Sequence, residues 1–210
     1  MKTLFLPFFF YFSLFSYGNE NKILENKFPE TPFSFHFLGK DTLLYTGIDY
    51  ISVKNDLDTN RKLVGPEVGL GKEFHLQDPV NLYYFSTTSI LALSHLTGSE
   101  QFAAHHEDEF HISSIKLKQS INYNFTIEQL RYQVYLLASV GQGRSQIKKM
   151  ETKKNNRTMS WEWGGGINIK YTPQKLFLFF QLARHNFPNK DFGEDGLMGI
   201  TYLTGVGVQF

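Results

Sequence analysis

The stretch Met159–Tyr171, MSWEWGGGINIKY, constrains the fold more than any other part of the chain. Met159, Trp161, Trp163, Gly165, Ile167, Ile169 and Tyr171 share one parity, and Ser160, Glu162, Gly164, Gly166, Asn168 and Lys170 share the other. A helix, turning every 3.6 residues, would mix the two sets around its circumference. A strand separates them completely, because successive side chains point to opposite faces.

The same period of two recurs along the sequence. Leu130, Tyr132, Val134, Leu136, Ala138 and Val140 oppose Arg131, Gln133, Tyr135, Leu137, Ser139 and Gly141. Ile115, Leu117, Gln119, Ile121 and Tyr123 oppose Lys116, Lys118, Ser120, Asn122 and Asn124. The last run sets Met198, Ile200, Tyr202, Thr204, Val206, Val208 and Phe210 against Gly199, Thr201, Leu203, Gly205, Gly207 and Gln209. Four less regular strands are expected at Thr42–Val53, Gly65–Leu76, Val80–Leu96 and Leu176–His185. The last of these is apolar on both faces, so its facing stays open. Lys72 falls on the apolar face of its strand, which asks for a bulge. Proline avoids strand interiors. Here Pro66 is placed at a strand start and Pro79, Pro173 and Pro188 in connections.

Eight such strands leave connections that alternate in length. Long ones are expected at Lys54–Val64, Thr97–Glu109, Gly143–Arg157 and Asn186–Asp195. Short ones centre on Gln77–Pro79, Phe125–Ile127 and Thr172–Lys175. In an antiparallel meander all the long loops lie at one end. The expected fold is therefore all-β, an eight-stranded antiparallel up-and-down transmembrane barrel over 42–210. Residues 1–18 read as a signal peptide, with Lys2 before an apolar run and small residues at Ser16 and Gly18. Residues 19–41 read as a mostly irregular periplasmic leader.

A soluble barrel also alternates, with its faces inverted: apolar inside and polar outside. Three features favour the membrane. The strands are long for a soluble sheet. Tyr123, Tyr132, Tyr171 and Phe210 map to the short-turn end, and Trp161 and Trp163 to the long-loop end, where interfacial belts form. The polar faces carry charges of both signs, each costing about 2–4 kcal/mol if turned to the bilayer midplane. Inside a narrow barrel they pair instead. Asp49, Glu67 and Glu162 are expected to neutralise Arg131, Lys116 and Lys118 in a lumen network. Glycines on the lumen parity make room for bulky neighbours such as Tyr135.

These features together resemble the small eight-stranded outer-membrane β-barrels of diderm (Gram-negative type) bacteria. Gly205, Val208 and Phe210 match that family's C-terminal assembly signal, and Leu203 departs from it at a position expected to be polar. The resemblance implies an outer-membrane location and recognition by the barrel-assembly machinery. It also implies surroundings of outer-membrane lipid and lipopolysaccharide.

The net charge of +1 gives no global field for nucleic acid, and no nucleic-acid partner is expected. The absence of cysteine removes disulfides and thiolate metal sites. No cofactor is expected. HHEDEFH offers weak metal candidates in His105, His106 and His111, at a spacing that matches no structural zinc pattern. A basic surface loop carries Arg144, Lys148, Lys149, Lys153, Lys154 and Arg157 and could meet an anionic surface ligand. Some outer-membrane barrels are lipid A acyl hydrolases. Here His185 lies near Glu194 and Asp195, with no hydroxyl nucleophile following it before Thr201. The expected role is structural or surface-interactive and not enzymatic, with the lumen plugged by side chains. The acyl hydrolase and a secreted soluble ligand-binding barrel remain as alternatives.

Overall fold

The computed structural model describes residues 41–54, 60–102, 106–149, 152–188 and 197–210. The expected signal peptide, and the expected leader up to residue 40, lie outside these. Eight strands follow in order: β1 Thr42–Lys54, β2 Asn60–His75, β3 Tyr83–Phe102, β4 His106–Ile127, β5 Leu130–Lys149, β6 Thr152–Tyr171, β7 Leu176–Phe187 and β8 Leu197–Gln209. Each pairs antiparallel with the next, and β1 pairs with β8 from Leu43↔Gln209 to Val53↔Gly199, closing the barrel.

Several sequence expectations need correction. Most of the three long connections within β1–β6 is strand. β3 to β6 extend to 20, 22, 20 and 20 residues and absorb Thr97–Phe102, His106–Glu109, Gly143–Lys149 and Thr152–Arg157. The β4–β5 turn is Glu128–Gln129, with Glu128 at φ 54°, and not Phe125–Ile127. Val80 precedes β3, which begins at Tyr83. Pro66 lies inside β2, where it interrupts the ladder to β3 between Val64↔Thr97 and Glu67↔Ser94. Lys72 needs no bulge, because the β2–β3 register runs unbroken past it, from Glu67↔Ser94 to His75↔Ser86. It points outward at the short-turn rim, 5.8 Å above the Phe74 ring, where a long side chain can reach a polar interface.

Alternation places the apolar parity outside. Leu91, Leu93, Ile115, Leu117, Leu136, Val140, Ile167, Leu178, Phe180 and Val206 are all exposed on the barrel wall. A continuous apolar face of this extent is rare on a protein surrounded by water. Two aromatic rims bound it. Tyr83, Phe85, Tyr123, Phe125 and Tyr132 form a chain of ring contacts at the short-turn end, with Phe125 and Tyr132 stacked at 5.2 Å. Trp161, Trp163 and the Tyr50–Tyr202 pair at 6.0 Å mark the other end. Strand from Tyr171 to Trp161 spans about 33 Å, or ~25 Å of depth once tilted, the height of an apolar membrane band. One outward polar pair is self-contained: Ser89 Oγ donates to Gln119 Oε1 at 2.8 Å.

The interior is filled in layers. Toward the long end Ile51, Leu63, Leu96, Phe110, Ile112 and Phe187 form one apolar cluster. Nearer the short turns Leu43, Tyr45, Phe177, Phe179 and Leu203 form another. Charged and amide groups fill the spaces between and below. This resolves the facing of β7: Phe177, Phe179, Ala183, His185 and Phe187 turn inward, while Leu178, Phe180, Leu182 and Arg184 turn outward. Rings pack against glycines. A β-carbon on Gly205 would fall 2.8 Å from the Phe179 ring and 2.1 Å from the Thr46 carbonyl. A β-carbon on Gly166 would fall 2.4 Å from the Tyr135 hydroxyl.

Leu203 is apolar because its side chain enters the Tyr45–Phe179 layer. Leu203→Thr is expected to lower stability by about 2–3 kcal/mol, through lost burial and an unpaired hydroxyl. Gly205→Val is expected to lower it by roughly 1–3 kcal/mol through overpacking. Urea midpoints, read from the gel-mobility difference between folded and boiled protein, will check both. An unchanged midpoint for Leu203→Thr would remove the packing explanation of Leu203.

Candidate functional site

The densest chemistry lies in the lumen. Lys116, on β4, is fully buried and faces three carboxylates from three other strands. Its Nζ lies 2.5 Å from Glu162 Oε1, 3.3 Å from Glu67 Oε2 and 3.5 Å from Asp49 Oδ2. Lys118 Nζ lies 2.5 Å from Glu67 Oε1. Neutral donors occupy further lone pairs: Tyr45 OH donates to Glu67 at 2.7 Å and Ser139 Oγ to Glu162 at 3.2 Å. Thr201 Oγ1 donates to Asp49 Oδ1. His185 Nδ1 lies 2.8 Å from Glu162 Oε1, so a proton on that nitrogen is shared with the cluster. Three carboxylates thus meet two ammonium groups and one imidazole. The arrangement is a tie between strands: every strand but β3 contributes to it, at a depth where unpaired charge is expensive.

Arg131 does not belong to this network. It stands at the foot of β5, opposite Lys170, well below the carboxylates expected to neutralise it. Its guanidinium instead lies 5.3 Å from the Tyr84 ring centroid. A second cluster occupies that end. Lys170 Nζ lies 2.8 Å from Glu73 Oε2, and Glu73 also accepts from Ser86 at 2.6 Å, Gln133 at 2.7 Å and Gln209 at 3.0 Å. Both Glu73 and Lys170 are legible as lumen-facing charges at the short-turn end. Their pairing spans 97 residues, and no local pattern announces it.

Among the described residues the outer end is the extended part of β3 to β6. Arg144, Lys148 and Lys149 lie on β5, and Lys153, Lys154 and Arg157 on β6. Arg144 directly opposes Arg157 and Lys148 opposes Lys153. The side chains of 147–155 lie outside the described residues. Of the candidate metal ligands, His105 also lies outside them, and His106 is described only in its backbone as the first residue of β4. His111 stacks on His95 with ring centroids 6.0 Å apart. Among the described residues no group of three metal-ligating side chains forms. Glu194 and Asp195 are likewise outside the described residues, and His185 points into the lumen.

At the assembly-signal positions Gly205 faces the lumen and Phe210 is exposed at the short-turn rim. The Phe210 amide donates to Thr42 O at 2.9 Å, and its carbonyl accepts from the Asp41 amide at 2.8 Å.

No protein-family model matches the chain, and no curated protein matches it in sequence. Solved structures do match in shape. Ail, the attachment invasion locus protein of Yersinia pestis, superposes with a TM-score of 0.54 at 14% identity, covering 82% of this chain and all of that one. Ail in complex with the heparin analogue sucrose octasulfate gives 0.50 at 17%, over 80% of this chain and 97% of that one. Neisserial surface protein A gives 0.50 at 12%, over 81% and 98%. At these identities the likeness is one of fold: the closed, eight-stranded, up-and-down barrel of small outer-membrane proteins.

If the lumen cluster ties the strands, Lys116→Met should cost about 3–5 kcal/mol, because three buried carboxylates are left with Lys118 as their one ammonium partner. Adding Asp49→Asn and Glu162→Gln should recover part of that loss. Urea unfolding of the single and triple variants in detergent will show it. A Lys116→Met barrel as stable as the parent would exclude this role.

Proposed function

We propose that this chain is an integral outer-membrane barrel with a closed lumen, whose projecting β3–β6 sheet engages polyanionic ligands at the cell surface. One observation carries the reading. About 9–11 residues suffice for a tilted strand to cross a bilayer, whereas β3 to β6 run to 20–22. Their surplus lies at one end, and the β5–β6 part of it carries Arg144, Lys148, Lys149, Lys153, Lys154 and Arg157 against Glu151.

The membrane placement is supported by the apolar outer wall and its two aromatic rims, which argue against a soluble ligand-binding barrel. A closed lumen is supported by the two apolar layers and the ion cluster between them. The cavity among Tyr45, Lys118, Tyr135 and Phe179 measures about 50 Å3, the scale of a few water molecules. A non-enzymatic role is supported by His185. It is buried against Glu162 in the lumen, out of reach of an acyl chain approaching from lipid. Gly205, Val208 and Phe210 would be what the assembly machinery reads on β8. The sulfated sugar in the Ail complex has the chemistry that the basic hairpin would attract, through long-range charge and bidentate arginine contacts.

Membrane fractionation and binding to immobilised sulfated polysaccharide test the two halves of the proposal. The protein should stay with the outer membrane after osmotic shock. The folded barrel should be retained at low salt and released as salt screens the contact. Replacing Lys148, Lys149, Lys153 and Lys154 with Gln should abolish retention. Equal retention of that variant would rule out the hairpin, and recovery in the soluble periplasm would rule out the barrel's placement.

A further inference from the structure

We infer that the outer wall of the barrel, where β3 to β6 leave the apolar belt, holds a site for a phosphorylated lipid headgroup. Arg144 and Arg157 are its paired guanidinium ligands and His95 forms its edge. The inference rests on the membrane reading above for which face meets lipid, and it concerns the wall and not the hairpin tip.

The site follows from one line of cross-strand register. His95 on β3 opposes Ser113 on β4, Ser113 opposes Arg144 on β5, and Arg144 opposes Arg157 on β6. All four residues have the outward parity, and both arginines are exposed. Like charges directly opposite on neighbouring strands are destabilising. Among the described residues neither guanidinium has a hydrogen-bond or ion-pair partner to relieve this. An anion between them would. Two planar guanidinium groups on adjacent strands present the parallel N–H donors that match phosphate oxygens bidentately. His95 Nδ1 is 2.8 Å from Ser113 Oγ, which fixes the ring and leaves its other nitrogen for a ligand.

The floor of the site decides which anion. The next register line toward the belt is Leu93, Ile115, Gln142 and Met159, and the one after it is Leu91, Leu117, Val140 and Trp161. A groove of about 520 Å3 joins the arginines and His95 to Val68, Leu93 and Ile115. Pro66 flanks it on the β2 side, at the point where the β2–β3 ladder is interrupted. An acyl chain descending from a phosphorylated headgroup would cover that apolar floor. A free phosphate or a sulfated sugar would engage the guanidinium groups alone and make no contact with that floor. Charge above and hydrocarbon below together select an amphiphile.

The experiment uses the full chain, folded into neutral vesicles and then transferred to neutral detergent. Insertion is scored first, by the heat-shifted gel band. Binding is read from tryptophan emission and from native mass spectrometry. The probes are bis-phosphorylated lipid A, dephosphorylated lipid A, inorganic phosphate and a sulfated disaccharide. The phosphorylated lipid should bind about tenfold tighter than the dephosphorylated one, the scale of a single charge-assisted hydrogen bond. Arg144→Gln with Arg157→Gln should erase that ratio. Lys72→Gln, at the opposite rim, should leave it intact. Equal affinity of the parent protein for both lipids, or a ratio that survives the double substitution, would overturn the site. So would saturation by inorganic phosphate alone, or displacement of the lipid by the sulfated disaccharide, each of which points to a soluble anion. A chain that never inserts would overturn the membrane reading itself, whereas lost discrimination in an inserted barrel overturns only this site.

Discussion

A sheet with an apolar outer face has no stable arrangement until its two edges meet. In hydrocarbon no water is present to satisfy a free N–H or C=O, so every backbone group must find a partner within the sheet. The β1–β8 ladder supplies that closure. Closure with eight strands fixes the interior at a width that side chains can fill. The remaining features of the molecule follow from what must go into that space.

The filling is layered because each kind of side chain solves a different problem. Rings and aliphatic groups exclude water, but the narrow bore admits the largest of them where the neighbouring strand is bare. Gly205 and Gly166 provide such bare wall for Phe179 and Tyr135. The ion cluster does what apolar packing cannot, linking strands distant in the ring at fixed positions. Lys116 on β4 reaches β1, β2 and β6 at once. Leu203 shows the two requirements in competition. Its position is expected to be polar for assembly, yet on this chain it faces an apolar layer, and packing decides the residue.

What was legible in the sequence depended on contrast between faces. Met159–Tyr171 reads clearly because its outer face is apolar while its inner face carries Glu162 and Lys170, which pair with charges on other strands. Leu176–His185 did not reveal its facing, since Phe177 and Phe179 are as apolar as Leu178 and Phe180 while serving the lumen. The strand extensions at Thr97–Phe102 and Thr152–Arg157 looked like loops for a related reason. Beyond the apolar band both faces are polar, and the period of two loses its chemical signature although the backbone keeps its ladder. Arg131 and Lys72 were misread for want of depth: parity gives a residue's face, whereas height along the barrel depends on register with distant strands.

The asymmetry of the ring then acquires a physical meaning. β1, β2, β7 and β8 are 13, 16, 12 and 13 residues long, close to what a crossing with short margins needs. β3 to β6 carry on as one sheet, and β4 and β6 are the strands that the cluster of Lys116 and Glu162 locks to the rest of the barrel. The projecting sheet is rooted in a filled, cross-tied lumen, so its residues stand on strands. Contacts built on strands hold their geometry better than contacts built on loops. Arg144 and Arg157, directly opposed at the edge of the apolar belt, stand on such strands. A shared anion at the proposed site would offset the repulsion between them.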